Sequence, residues 1–518
     1  MNTPDPTPRP HRMRILDESG MPRTLPEGPQ TFARLGQGAG VLILGLGPDP
    51  AVARMLASGC RDAAYVEHPG FEAQTLPDWR LAIPEHWRRV TPQDLAQLDV
   101  HERQVLYYEP NPRLFPTFWN PVLAYCKRAA LGPRELGPKK PVVILPGDET
   151  TLLAHELAAT LESFGFKTLL RNGDITGDKL RAELGLFTPA LFLSINFKGL
   201  DAHGEVFASL AEAGIPAAAW CVDNPYHLLS ALKSPFWKEL PLFVTDDWFI
   251  AGLTALGAQS VHHLPLAAAG HFFAAAARPV RFAHLENMAI FVGRPGFPDK
   301  KRFFSGLTVP DGAFHRALAL LSSGERADFG WWLEQLGITQ AWPGRQVRQA
   351  GFAAEQTGLV WRVMCLREAA RGLPLAIFGP KDWRELLPEV ENVLAEVDYY
   401  GALGAIYHDA ALTLNLTSPL LPRGLTQRHF DVWAAGGFLL TDKTPGLDLF
   451  PGELTEPVTF SRSSDIVDVA RAAQSSQAAK RELAAAWREE IAARHTYRHR
   501  VAELLETLGV DAPDAPGA

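Results

Sequence analysis

Length, composition and charge limit the classes to which the chain can belong. With 518 residues, of which 47% are hydrophobic and 21% charged, it is long enough for about three domains, which excludes a single small module. Its 50 Lys and Arg against 58 Asp and Glu give a net charge of −8, so no overall positive charge attracts nucleic acid. The cysteines are widely spaced and no stretch approaches the ~18 apolar residues of a membrane span. We therefore expect a cytoplasmic protein with no integral membrane segment and no nucleic-acid partner.

The beginning of the chain differs in pattern from the rest of it. Residues 1–36 are rich in proline and show no hydrophobic periodicity, which predicts a disordered tail. From residue 37 onwards, short apolar runs alternate with stretches of helical period, a pattern typical of βα repeats around parallel sheets. The first group of repeats predicts a small Rossmann-like domain over residues 37–135.

Two further groups of repeats come after this domain. The first predicts a Rossmann-like lobe over residues 139–275, and the second predicts a similar lobe over residues 284–490. Residues 491–518 are predicted to be a C-terminal helix and tail, with one closing helix at about 475–507. Because open α/β sheets bind ligands at the carboxyl ends of their strands, two such lobes predict a site in the cleft between them.

Two acidic residues follow predicted strands of the 139–275 lobe. Asp223 comes after the apolar run 217–222, and Asp246 follows the run 242–245. A carboxylate at this edge of a sheet can accept a proton from a substrate hydroxyl or orient the substrate. The alternative is structural, with Asp223 in a turn before Pro225 and Asp246 as the cap of the next helix.

The segment 414–442 is the most informative part of the second lobe. A predicted strand leads through a loop with Gly424 into a helix that places Arg428 and Asp431 three residues apart on one face. Free amides at a helix N-terminus and an adjacent arginine suit a diphosphate, and Asp431 is placed to accept hydrogen bonds from a ribose diol. The alternative is an exposed Arg–Asp pair beside a capped helix.

The same segment resembles a known family. Tyr400-Gly401, Leu414-Asn415, the run QRHFD at 427–431 and the run AAGGFLLTD at 434–442 are similar to the C-terminal domain of the CgeB-like (spore-maturation-type) glycosyltransferases. The tail HTYRHR at 495–500 fits the same pattern, and so do WCVDNP at 220–225 and HLPLA at 263–267. The resemblance covers about residues 190–505, with Asp431 where the family has Glu.

The resemblance implies a GT-B fold, in which two Rossmann-like lobes face a cleft, here with an additional N-terminal Rossmann-like domain. The 284–490 lobe is then expected to bind a nucleotide-diphosphate sugar, and the 139–275 lobe to present the acceptor, which is a protein such as flagellin, a polysaccharide or a small molecule. Gly293 and Arg294 resemble the glycine loop that opens the donor lobe, and Lys443 is placed to face a phosphate or else is solvated. No metal and no further cofactor is expected, since arginine, lysine and helix dipoles offset the diphosphate charge.

Two alternatives from other classes remain open. Gly45 and Gly47 follow a predicted strand, and Glu67 ends the next one, the arrangement of an S-adenosylmethionine-dependent methyltransferase. A non-catalytic surface-assembly protein that keeps the two-lobed fold is the second alternative, favoured by Asp431 in place of Glu and by Arg423 where the wider group has an acid.

Overall fold

The computed structural model describes residues 12–132, 135–151, 153–173, 175–275, 282–297 and 299–513. These residues form three α/β units, each built on its own sheet. Within the described part of the chain, none of the helices has both the length and the apolar character needed to cross a membrane.

The N-terminal domain is built on five strands in the order β3-β7-β4-β5-β6. Strand β3 is antiparallel to β7 and the other pairs are parallel. A separate antiparallel hairpin, β1 and β2, precedes the sheet. The elements are β1 (Arg14–Leu16), β2 (Pro22–Thr24), β3 (Phe32–Leu35), β4 (Gly40–Leu44), α1 (Pro50–Leu56), β5 (Ala63–Val66), α2 (Pro69–Glu72), α3 (Pro77–Leu81), β6 (Arg88–Arg89), β7 (Arg103–Tyr108), α4 (Asn111–Leu114) and α5 (Pro116–Ala130).

The prediction of a disordered tail over residues 1–36 is wrong from residue 12 onwards. Ile15 and Leu25 are only 3% and 1% exposed in the core of the N-terminal domain, and residues 32–35 pair with β7. A few apolar residues among many prolines are enough to hold this segment, because the sheet supplies the hydrogen-bond partners. Residues 1–11 lie outside the described residues.

The middle lobe contains a parallel sheet of six strands in the order β13-β12-β11-β10-β8-β9. Nearly every residue of β10 and β11 is buried, which explains their continuous apolar sequences. The elements are β8 (Lys139–Pro146), α6 (Ala154–Ser163), β9 (Lys167–Arg171), α7 (Gly177–Leu184), β10 (Thr188–Ile195), α8 (Glu205–Glu212), β11 (Ala217–Cys221), α9 (Pro225–Leu229), β12 (Leu242–Val244), α10 (Trp248–Ala255), β13 (Val261–His263) and α11 (Gly270–Phe273).

The C-terminal lobe contains a second parallel sheet of six strands, in the order β16-β15-β14-β17-β18-β19. The chain reverses its direction across the sheet between β14 and β17, which is a topological switch point. The elements are β14 (Ala289–Val292), α12 (Lys300–Phe303), α13 (Asp311–Ser323), α14 (Phe329–Gln335), α15 (Val347–Gly372), β15 (Leu375–Phe378), α16 (Trp383–Leu386), β16 (Asn392–Leu394), α17 (Leu403–Asp409), β17 (Leu412–Asn415), α18 (Arg428–Ala434), β18 (Leu439–Asp442), α19 (Gly452–Thr455), β19 (Thr459–Phe460), α20 (Ile466–Gln474), α21 (Gln477–Arg494) and α22 (Tyr497–Leu508).

The closing segment is two helices instead of the single helix predicted for residues 475–507. The helical conformation is interrupted between α21 and α22 at His495 and Thr496. There the Ala268 amide donates to the His495 carbonyl oxygen at 2.8 Å. Beyond the break, the Arg500 guanidinium donates to the Pro265 carbonyl oxygen, and α22 packs on α6. The last helix therefore belongs to the middle lobe, although α21 packs in the C-terminal lobe.

The N-terminal domain is attached to the middle lobe through α5. The Asn120 side chain donates to the Lys233 carbonyl oxygen at 2.9 Å, and the Arg128 guanidinium donates to the Ala208 carbonyl oxygen at 2.7 Å. Lys127 also forms an ion pair with Glu205 on α8. Hydrogen bonds to main-chain atoms fix the relative position of these two units more firmly than a surface ion pair does.

The middle and C-terminal lobes meet at the carboxyl ends of their strands. The Asn224 side chain donates to the Leu420 carbonyl oxygen at 2.9 Å, and the Arg423 amide donates to Asp246 Oδ2 at 2.9 Å. These bonds tie the loop after β17 to the opposite lobe. The prediction of an α/β protein of GT-B type, with two Rossmann-like lobes on a cleft and an extra N-terminal domain, is confirmed.

Candidate functional site

A cavity of about 680 Å³ lies between the two lobes. Its volume is within the range of small-molecule sites, and it lies at the edge of the sheets where the fold predicts a ligand. Both lobes contribute to its wall, through Asp223, Asn224, His227, Leu228, Arg294, Gly296, Phe297, Phe303, Glu355, Arg362, Ser418, Leu420 and Leu421.

Asp223 is the acidic group of the middle lobe in this cavity. It follows β11, its side chain is exposed to solvent within the cleft, and Asn196 Nδ2 donates to its Oδ2 at 2.7 Å. Loss of hydration between the cleft walls raises the pKa of the Asp223 carboxyl, and the bond from Asn196 opposes that rise. A carboxylate that is accessible and has a raised pKa can act as a general base.

Basic groups of the C-terminal lobe lie on the other wall. Arg294 follows β14 and pairs with Glu396 through two bonds of 2.5 and 3.2 Å. Arg362, on the long helix α15, donates to the Pro295 carbonyl oxygen at 3.3 Å and is half-buried. Glu355, about two turns before it, forms an ion pair of 3.4 Å with Lys300. The cavity therefore combines Asp223 from one lobe with two guanidinium groups and the Glu355 carboxylate from the other.

Gly293 lies beside this wall without lining the cavity. Its amide donates to the Phe378 carbonyl oxygen, and its own carbonyl oxygen accepts from the Trp383 indole at 2.8 Å. A Cβ added at this glycine meets the Phe291 ring at 3.1 Å. A side chain at this position would thus press on the Phe291 ring, while the phosphate contact predicted for Gly293 stays a prediction.

Asp246 is buried and fully engaged by protein groups, in contrast to Asp223. It is 1% exposed, and its two oxygens accept from the amides of Trp248 and Arg423, each at 2.9 Å. Burial raises the pKa of Asp246 to about 6. The structure therefore supports a structural interpretation of this residue: it accepts from the first amide of α10, although Asp247 holds the N-cap position, and it links the two lobes.

The corner between Pro422 and Thr426, predicted to hold a diphosphate, is occupied by protein contacts. The Arg423 amide donates to Asp246, the Gly424 amide to the Leu421 carbonyl oxygen, and the Thr426 amide to His429 Nδ1. Gly424 is buried and does not line the cavity. The structure thus corrects the prediction that Gly424 presents free amides to a ligand.

Arg428 lies beneath the switch point between β14 and β17. Its Nε donates to Asn415 Oδ1 at 2.7 Å and its Nη1 to the Val292 carbonyl oxygen at 2.8 Å. Its guanidinium carbon also lies 5.8 Å from the centre of the Phe291 ring. Arg428, predicted to bind the diphosphate, is therefore bonded to groups of its own lobe. Its two bonds connect the ends of the adjacent strands β14 and β17.

Asp431 is similarly turned away from the cavity. It is 1% exposed and accepts from the Tyr399 hydroxyl at 2.8 Å, from Gln427 Nε2 at 3.1 Å and from the Ala269 amide at 3.4 Å. Burial raises the pKa of this carboxyl well above its usual range. The structure thus pairs Asp431 with protein donors, in place of the ribose contact predicted for it.

Lys443 lies on a separate part of the C-terminal lobe. Its side chain is exposed, and it borders a small cavity together with Arg326 and Asp442. Arg326 forms an ion pair of 3.4 Å with Asp442, and it donates to the Lys443 carbonyl oxygen. The interpretation of Lys443 as a solvated side chain agrees with this position.

The N-terminal glycine pair and Glu67 form a closed packing arrangement. Glu67 is 4% exposed and accepts from the amides of Leu46 and His68 at 2.8 and 2.9 Å, and burial raises its pKa to about 7. The Trp79 indole donates to the Gly47 carbonyl oxygen. Both oxygens of Glu67 are thus engaged by main-chain amides, and the structure gives no support to the methyltransferase alternative.

Sequence reasoning missed several residues of the cavity and its surroundings. Asn196, Glu355, Arg362 and Ser418 carry no motif, and three of them lie on a long helix or a loop without periodic signals. Asn196 follows the apolar run of β10 directly, and a search for polar residues after every buried strand finds it. Among the described residues, no group of three or more His, Cys, Asp or Glu side chains is arranged to hold a metal ion.

Part of the chain matches a known family. Residues 361–506 match the model for glycosyl transferase-like proteins. The matched segment includes Arg362 and Ser418 of the cavity wall, whereas Asp223 and Arg294 lie before it. No curated protein matches the sequence at a significant level.

Several solved structures resemble the chain at low identity. A glycosyltransferase from Rickettsia africae ESF-5 is 11% identical, with 73% of this chain and 100% of that chain covered and a TM-score of 0.38. Anabaena HepE in complex with UDP is 9% identical, with 71% of this chain and 99% of that chain covered and a TM-score of 0.42. The trehalose-6-phosphate protein of E. coli bound with UDP-2-fluoro glucose is 12% identical, with 90% of this chain and 98% of that chain covered and a TM-score of 0.35.

Proposed function

We propose that the protein is a glycosyltransferase that moves a sugar from a nucleotide-diphosphate donor to an acceptor in the interlobe cavity. The observation that carries this proposal is the placement of Asp223 from one lobe and of Arg294 and Arg362 from the other around one cavity. The glycosyl transferase-like match of residues 361–506 supports the same class of reaction. The CgeB-like subgroup, and an acceptor such as flagellin or a polysaccharide, are finer proposals suggested by the sequence motifs.

In the proposed reaction Asp223 accepts the proton of an acceptor hydroxyl. The acceptor oxygen forms a bond to the anomeric carbon, and the bond from that carbon to the diphosphate oxygen breaks. The diphosphate leaves with the electron pair, and Arg294 and Arg362 offset the charge that it gains. The nucleotide sugar and the acceptor then suffice for the reaction, without a metal ion or a separate cofactor.

The test is turnover of a panel of nucleotide sugars, including UDP-glucose, UDP-N-acetylglucosamine and GDP-mannose, by the purified full chain. We expect release of the nucleoside diphosphate that persists in EDTA, and a loss of about 100-fold in kcat for Asp223→Asn. Asp178→Asn, a change at the start of α7 and outside the cavity, is the matched control.

Failure of the wild-type protein to turn over any donor, together with no rise in melting temperature in their presence, would contradict the proposal and favour the surface-assembly alternative. A rise with S-adenosylmethionine alone would favour the methyltransferase, because only a ligand that binds the folded state stabilises it. The four cysteines are unpaired, which supports action in a reducing compartment such as the cytoplasm.

A further inference from the structure

Asn196 makes three hydrogen bonds to one short segment of the neighbouring strand end. Its Nδ2 donates to Asp223 Oδ2 at 2.7 Å, while its Oδ1 accepts from the amides of Val222 at 2.9 Å and Asp223 at 3.2 Å. Because a main-chain amide can only donate, these two amides fix Oδ1 toward the backbone. The carboxamide nitrogen is therefore fixed toward the carboxylate.

The backbone at this position has a conformation that L-residues rarely adopt. Asn196 has φ of 52° and the next residue, Phe197, has φ of 61°, so two consecutive non-glycine residues lie in the left-handed region. Such residues cost free energy and cluster at functional sites, and asparagine tolerates this region better than most residues. The left-handed turn lets the side chain reach back across the sheet edge to β11.

We propose that Asn196 is a positioning residue that holds the Asp223 carboxylate for proton transfer from the acceptor. The inference rests on the proposed function and deepens it. The carboxamide binds Oδ2, which orients the group and leaves Oδ1 to take the proton. It also donates to the charged form of the carboxylate, which keeps more of the group ionised than the loss of hydration between the cleft walls alone allows.

Other titratable groups surround Asp223 and must be considered in any pH experiment. Cys221 lies two residues before it, and His227 is on the same lobe. Glu355, Arg294 and Arg362 lie on the opposite wall of the cavity. All of them are unchanged in variants of Asn196, so a change in titration between those variants reports on the Asn196 contact.

Two variants separate the side chain of Asn196 from its backbone. Asn196→Gly keeps access to the left-handed conformation but removes all three side-chain bonds. Asn196→Asp keeps an acceptor for the two amides, removes the donor to Asp223 and adds a like charge beside it. We expect the pKa of Asp223 to rise by about one unit in the glycine variant and by more in the aspartate variant.

The titration of Asp223 is measured by ¹³C NMR of aspartate-labelled full-length protein, with Asp223→Asn to assign the signal. The second readout is the pH dependence of kcat/KM with the donor that the wild type uses. We expect its acidic limb to move to higher pH by the same amount, so that activity falls more at pH 6 than at pH 8. Ser194→Ala is the control, because Ser194 Oγ donates to the Lys198 carbonyl oxygen in the same loop without contacting Asp223.

The two readouts keep this inference apart from the proposed function. A wild type without turnover contradicts the function, whereas the NMR titration tests the Asn196 contact without any substrate. An unchanged Asp223 titration in both variants would overturn the inference. So would a shifted titration with an unchanged pH profile, or a profile that Ser194→Ala shifts as strongly.

Discussion

The Tyr400 hydroxyl of the C-terminal lobe donates to Glu156 Oε2 of the middle lobe at 3.0 Å. Glu156 is 7% exposed, and burial raises the pKa of its carboxyl. If a buried, charged acceptor loses its hydrogen-bond donor, the free-energy cost of removing the acceptor from water is no longer offset. This contact therefore holds the two lobes together close to Thr496, where the chain passes from α21 to α22.

Removal of the Tyr400 hydroxyl tests the strength of this contact. Tyr400→Phe is expected to lower the free energy of unfolding by about 2 kcal/mol at pH 8, since the bond ends on a charged group. Tyr125→Phe, which removes a bond of 3.2 Å to the neutral Leu95 carbonyl oxygen, is expected to lower it by about 1 kcal/mol. Urea unfolding measures both changes, and equal effects of the two variants would show that Glu156 is not charged in this contact.

The loop after β12 offers a comparison between a buried and a half-buried acid. Asp246 accepts two amide bonds in a buried position, whereas Asp247 pairs with the Arg423 guanidinium at the surface. We expect Asp246→Ala to lower the free energy of unfolding by about 2 kcal/mol, and Asp247→Ala by less than about 1 kcal/mol. Thermal unfolding of the two variants gives the comparison, and a larger loss for Asp247→Ala would contradict it.

His227 makes the folded protein sensitive to acid. Burial, with Arg348 nearby, lowers the pKa of His227 to about 3, so the folded state keeps the ring neutral while the unfolded chain binds a proton below about pH 6.5. Stability from this group is therefore present above pH 6.5 and is lost as the pH falls. Between pH 7 and 5 we expect the wild type to lose about 2 kcal/mol more than His227→Leu. Chemical unfolding at both pH values measures the difference, and parallel losses would refute the assignment.

The N-terminal glycines provide a test of packing against ligand binding. A Cβ at Gly45 lies 1.9 Å from Asn111 Nδ2, whereas a Cβ at Gly59 meets nothing within 4 Å. Both glycines have positive φ, so Gly59→Ala measures backbone strain alone. We expect Gly45→Ala to lower the melting temperature clearly more than Gly59→Ala, without changing any turnover of nucleotide sugars by the proposed interlobe site. Equal shifts would indicate that the Asn111 contact relaxes easily.

The sequence predicts the strands and the cleft well because buried parallel strands are continuous apolar runs. It does not separate Asp223 from Asp246, since each acid follows such a run and only the packing of the opposite lobe covers one of them. The roles of Arg428 and Asp431 are likewise decided by distant partners, Val292 and Ala269, which no local spacing reveals. The Arg294 position was predictable because it closely follows β14 at the switch point.

The attachment of α5 to the middle lobe has a consequence for any movement of the cleft. The bonds from Asn120 and Arg128 join the N-terminal domain and the middle lobe into one unit. Helix α22 is part of the same unit, because Arg500 binds the Pro265 carbonyl oxygen. Any movement of the C-terminal lobe would therefore be relative to this combined unit, and the chain passes from one to the other at His495, between α21 and α22. The surface of the N-terminal domain would then keep a constant distance from Asp223 whatever the position of the C-terminal lobe.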